Sequence, residues 1–147
     1  MPFGNIWLSS MYDILDVTNI NKIFILDTGL TLEDKQQIIS KAGKVEFILS
    51  DINIKGSSDA NIKNSLWLPH VLRKTVYLHM LMCELPEREF PLIMMDSDTM
   101  FLKGFEELLD ESYDMQVCLR SYKDNPNWIA AFFVAYSKQK SQKFLEK

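Results

Sequence analysis

Three short apolar runs set the terms on which this chain can fold. Lys22-Ile23-Phe24-Ile25-Leu26-Asp27, Val45-Glu46-Phe47-Ile48-Leu49 and Pro91-Leu92-Ile93-Met94-Met95-Asp96 are five or six residues long and rich in β-formers. Runs of that length and composition read as buried strands. Helical patterns stand between them. Residues 5–17 place Ile6, Trp7, Met11, Ile14 and Leu15 at spacings of three and four, which makes one apolar face. Thr31-Leu32-Glu33-Asp34 reads as a capped helix start with acidic residues in its first turn, running to about Lys41 and stopped by Gly43. A longer helix is predicted over residues 69–84, with Pro69 tolerated in its first turn and Val71, Leu72, Val76, Leu78, Met80 and Leu81 among its apolar positions. Strands that alternate with helices predict an α/β domain with a mixed, largely parallel sheet flanked by helices.

The rest of the chain is more varied. Residues 51–65 are polar and read as a loop, and residues 104–109 as a short helical turn. Residues 115–119 and 128–136 read as further strands, and Ser137 as the cap of a last helix. With 147 residues, 47% of them hydrophobic and 24% charged, the chain suits a single globular domain with a sizeable core. The net charge is −4, and the scattered lysines and arginines argue against a nucleic-acid partner. No apolar stretch approaches the roughly 20 residues of a membrane span, and the first residues lack a leader pattern, so the cytoplasm is the expected location. Cys83 and Cys118 have no metal-type spacing and sit in apolar sequence, which predicts buried free thiols. His70 and His79, the only histidines, both fall on the helix before the third strand, where a structural role is expected.

The chemistry concentrates at the end of that third strand. In open α/β sheets ligands gather outside the carboxyl ends of strands. Asp96 stands at such an end and Asp98 follows two residues on. Carboxylates so spaced can face one small space and offer the oxygen ligands that Mg²⁺ and Mn²⁺ favour. Such a cation can hold a diphosphate and neutralise charge as it leaves. Asp27, at the end of the first strand, reads as a turn-former, because aspartate readily stabilises turns.

The stretch from Leu92-Ile93-Met94-Met95-Asp96-Ser97-Asp98 through Thr99-Met100-Phe101-Leu102 to Glu107-Leu108-Leu109 resembles the Asp-x-Asp region of GT-A-fold glycosyltransferases. Ile25-Leu26-Asp27-Thr28-Gly29-Leu30 is similar to that family's second strand and its turn, and Leu72-Arg73-Lys74-Thr75 to its basic position on the preceding helix. The resemblance implies a Rossmann-like GT-A domain that moves a sugar from a nucleotide-diphosphate donor to an acceptor, whether glycan, lipid or protein. It implies Mn²⁺ or Mg²⁺ held by Asp96 and Asp98, a donor site formed by Asp96, Ser97 and Asp98, and positive charge on the phosphates from Arg73 or Lys74. Three features depart from the family. Residues 1–4 are too few for its usual first strand. Its late metal-binding histidine and its Asn-x-Gly pattern have no counterpart, although Asn127-Trp128-Ile129-Ala130 stands in a comparable place. The expectation is therefore a partial domain, lacking the first strand and the acceptor region, with weak or lost activity. Two alternatives remain: a non-catalytic nucleotide-sugar-fold binding domain, and a haloacid-dehalogenase-type phosphatase, whose threonine position is occupied by Met100.

Overall fold

The computed structural model describes residues 2–14, 17–51, 67–97, 99–104, 106–122 and 125–145. Helix α1 (Pro2–Ile14) leads through a 3₁₀ turn to strand β1 (Ile23–Asp27), helix α2 (Leu32–Lys41) and strand β2 (Val45–Leu49). Helix α3 (Trp67–Glu84), strand β3 (Leu92–Met95), the hairpin of β4 (Met115–Tyr122) with β5 (Asn125–Ala135), and helix α4 (Lys138–Leu145) complete the order. The predicted loop at residues 51–65 falls, beyond Asp51, outside the described residues.

The first helix starts at Pro2, three residues earlier than the apolar spacing indicates, since proline is well suited to a helix's first turn. Thr31 forms a complete capping box on α2: its hydroxyl accepts from the Asp34 amide at 3.1 Å, and the Asp34 carboxylate accepts from the Thr31 amide at 3.1 Å. The Thr31 hydroxyl also donates to the Asp34 carboxylate at 2.7 Å, and that bond, with the one from the Thr31 amide, holds the Asp34 carboxyl below its ordinary pKa. Thr31→Ala should cost about 1 kcal/mol of stability, measurable by urea denaturation. Gly43 does not end α2 through a left-handed backbone; the cap is Ala42, whose amide donates to the Ile38 carbonyl at 2.9 Å.

The α/β class holds, with the strands divided between two sheets. β1 and β2 pair in parallel, as a strand–helix–strand crossover requires. The second sheet has the order β3-β5-β4 and is antiparallel throughout. Parallel pairing among the described residues is therefore confined to β1–β2, whereas the sequence predicts a largely parallel sheet. The cause is β5, which inserts between β3 and β4 and runs antiparallel to both, so that β3 and β4 point the same way and the connection between them crosses over. β1 and β3 do not pair with one another among the described residues, so the two sheets meet through side chains and helices.

Two cores follow from this division. One gathers Leu8 and Met11 of α1, Ile23 of β1, Ile38 and Ala42 of α2, and Phe101. The other gathers Leu78 and Met82 of α3 with Phe133 and Ala135 of β5. Strand β3 separates them, because successive strand residues face opposite ways. Leu92 and Met94 pack into the α3 core, and Met95 into the α1 core. All four residues of β3 remain partly exposed, so the strand is less buried than its apolar sequence predicts.

Helix α3 shows the same logic on its own surface. Leu78 and Met82 lie four residues apart on the buried stripe. Leu72, Val76 and Met80 form another four-residue series, and this one is exposed. The sequence names these three only as apolar positions of the helix; they lie on the outer side because the stripe through Leu78 and Met82 meets the sheet. Both cysteines are also exposed rather than buried. Cys83 follows Met82 by one residue and so points about 100° away from the core, and Cys118 adjoins a register shift in β4.

Candidate functional site

The alternation that sends Leu92 and Met94 toward α3 continues into Asp96, which sits immediately beyond β3. On α3, Lys74 stands one turn before Leu78 on the buried stripe. The two series converge, and the Lys74 ammonium meets the Asp96 Oδ1 directly. Lys74 is 20% exposed and Asp96 32%, so the pair is partly withdrawn from water. The Asp96 carbonyl accepts from the Thr99 amide at 3.1 Å, which closes a tight turn after the strand. Ser97 is exposed within that turn. Asp98 lies outside the described residues, as do the side chains of His70 and of Asn127 to Ala130.

Arg73 goes elsewhere. One residue along α3 is a rotation of about 100°, and its guanidinium pairs with Asp51, just past β2, at 2.5 Å. Tyr77, four residues on, supports the same carboxylate: its hydroxyl accepts from the Asp51 amide at 2.9 Å and lies 3.3 Å from Asp51 Oδ1. Neighbouring residues of α3 thus hold carboxylates beyond the ends of β2 and β3, which brings those strand ends to the same part of the helix. The structure joins Lys74 to Asp96 but leaves Arg73 on a different carboxylate. Asp51 and Tyr77 were not singled out in the sequence; the four-residue spacing of Arg73 and Tyr77 was the available signal.

Helix α1 secures the other side of the turn. The Trp7 indole donates to the Met95 sulfur at 3.4 Å, and the Ser10 hydroxyl accepts from the Phe101 amide at 3.2 Å. These contacts hold the segments before and after Asp96 against one helix.

Asp27 is a turn-former, as its sequence context predicts. It is 2% exposed, and its Oδ1 accepts from the amides of Gly29 and Leu30 at 2.9 and 2.7 Å. Gly29 has a φ of 127°, which glycine adopts without strain. Lys35 of α2 places its ammonium 2.5 Å from Asp27 Oδ2. Burial pushes the carboxyl's pKa up, but the bond from Lys35, the two amides and the lysine's charge together hold it below the ordinary value. Both oxygens of this buried carboxylate are engaged within the turn and by α2, which fits a structural role. His79 lies 3.9 Å from the Cys83 sulfur one turn along α3, in keeping with a structural role.

The family model for nucleotide-diphospho-sugar transferases matches residues 45–147. The chain belongs to that family. The match runs from β2 through α3, the Lys74–Asp96 pair and the β4–β5 hairpin to α4, so every contact around Asp96 except those from α1 falls inside it. The segment around Asp27 precedes it. No match emerges from curated proteins or from solved structures. Family membership makes this a glycosyltransferase-like domain with a nucleotide-sugar donor as its characteristic ligand. Among the described residues no helix is long and apolar enough to cross a membrane.

The Asp96 carboxylate fits a hard divalent cation in chemistry and access: it is an oxygen donor, partly open to solvent at a strand end. No group of three or more His, Cys, Asp or Glu side chains gathers among the described residues.

Proposed function

We propose that this domain transfers a sugar from a nucleoside-diphosphate sugar to an acceptor, with Asp96 and Asp98 as carboxylate ligands of Mn²⁺ or Mg²⁺. The observation that carries the reading is the Lys74–Asp96 pair at the end of β3, inside the region matched by the family. A lysine and a carboxylate there supply one group for a diphosphate and one for its cation. When bound, the cation would neutralise charge developing on the departing diphosphate. Asp96 would orient that cation from a turn fixed by the Thr99 amide and braced by α1. Lys74 would contribute positive charge from the α3 side, and Ser97 an exposed hydroxyl at the rim. Arg73, bound to Asp51, would serve the donor only after leaving that carboxylate.

The test is thermal stability against UDP-, GDP- and CMP-sugars, with and without Mn²⁺. A donor that binds only the folded state, present at a hundred times its Kd, should add about 2.7 kcal/mol. The expected result is a Mn²⁺-dependent rise with one donor class that Asp98→Ala removes. No rise with any donor would contradict the reading.

A further inference from the structure

Lys74 does not stand free beside Asp96; it occupies one of the oxygens that a cation would need. We propose that Lys74 is the resident counter-ion of Asp96, that a divalent cation must displace it, and that the displaced ammonium then meets the diphosphate. This inference rests on the reading of Asp96 as a cation ligand.

Three features of the chain support it. The pair is partly desolvated, with Lys74 at 20% and Asp96 at 32% exposure. A carboxylate in that position left without a counter-charge would be destabilised, so the cation-free protein benefits from a built-in positive charge. The helix beneath Lys74 is fixed, because Leu78 and Met82 on the same stripe are buried against the sheet. Only the four-carbon stem of the lysine is free to move, so the ammonium can leave Oδ1 without leaving the site. Finally, Arg73 is engaged by Asp51 at 2.5 Å, so Lys74 rather than its neighbour supplies the charge.

An ammonium and a dication repel one another across a single carboxylate. Mn²⁺ alone should therefore bind weakly, because it has to expel Lys74 into a site with nothing to receive it. A diphosphate arriving with the cation gives the ammonium a new partner. Cation and diphosphate should then bind with positive coupling, each strengthening the other by the same factor.

Mn²⁺ binding to the full chain, followed by electron paramagnetic resonance, and pyrophosphate binding in the presence of Mn²⁺, followed by calorimetry, test this. Lys74→Met should bind Mn²⁺ alone about tenfold more tightly than wild type and Mn²⁺-pyrophosphate about tenfold more weakly, the scale of one charge-assisted hydrogen bond. Lys74→Arg, which keeps the charge and can hold the carboxylate with two bonds, should bind Mn²⁺ alone no more tightly than wild type. Lys74→Gln should follow Lys74→Met and guards against a folding defect in that variant. If Lys74→Met and Lys74→Gln bind Mn²⁺ no more tightly than wild type, the displacement is overturned while Asp96 as a ligand stands. If wild type and all variants fail to bind Mn²⁺, the ligand role of Asp96 falls and the displacement falls with it.

Discussion

Asp96→Asn is expected to lower kcat/KM for donor cleavage by about 10²–10³-fold, equivalent to about 3–4 kcal/mol of transition-state stabilisation. The substitution keeps the shape of the side chain and its place in the turn. It removes the negative charge that would hold the cation, and it removes the partner of Lys74. Release of nucleoside diphosphate with water as acceptor provides the assay, so the natural acceptor need not be known. Circular dichroism should show the fold intact, because the backbone bond from Thr99 to the Asp96 carbonyl does not involve the side chain. Wild-type rates in Asp96→Asn would remove this carboxylate from the chemistry.

Asp27→Ala is expected to have the largest effect on stability, a loss of about 3 kcal/mol by urea or thermal unfolding. Two amides, those of Gly29 and Leu30, lose their acceptor next to a side chain that is 2% exposed. Leu30 is half-buried and Gly29 exposed, so the two orphaned donors together cost about 1–3 kcal/mol, with Leu30 the larger share. The Lys35 contribution is smaller than in a fully buried pair, because Lys35 is 30% exposed and water screens it. Asp27→Asn keeps an oxygen for the amides and should lose only about 1–2 kcal/mol.

The same residue predicts an acid limb. The folded-state pKa of Asp27 lies below the unfolded one. Its stabilising contribution is therefore fully present above the unfolded value, near pH 4, and is lost as pH falls through the folded value. Wild type should lose stability steeply below about pH 4, and Asp27→Asn less steeply over the same range. Identical acid limbs would show that Asp27 is not the group responsible.

Local chemistry carried most of what the sequence made legible. The capping box at Thr31 and the Asp27 turn depend on residues within three or four positions of one another, and both are found as read. The α1–β1–α2–β2 order is also local, because a short connection through a helix leaves little alternative to a parallel pair. The region around Asp96 was legible as a strand end with a basic residue on the preceding helix, and the observed alternation of β3 with the α3 stripe explains why that residue is Lys74 and not Arg73. What was hidden is non-local. Nothing in residues 115–135 by themselves states that β5 will pair with both β4 and β3, and that pairing is what makes the second sheet antiparallel. The exposed stripe of Leu72, Val76 and Met80 was hidden for a related reason. Apolar residues occur around most of α3, and only the position of the sheet selects the stripe to be buried. The shallow cleft beside Met80, lined also by Glu46, Ile48, Tyr77 and Glu84, belongs to that outer side and is distinct from the Asp96 turn.

The central claim is that Asp96 is where cation and diphosphate meet. Paramagnetic broadening measures this directly: Mn²⁺ and UDP are added at substoichiometric levels to ¹⁵N-labelled protein and amide signals are followed residue by residue. The account predicts that the amides of Asp96, Ser97 and Thr99 broaden first, and that Asp96→Asn abolishes the effect. Broadening centred on the exposed acidic residues Glu106, Glu107 and Asp110, with the Asp96 turn unchanged, would contradict it.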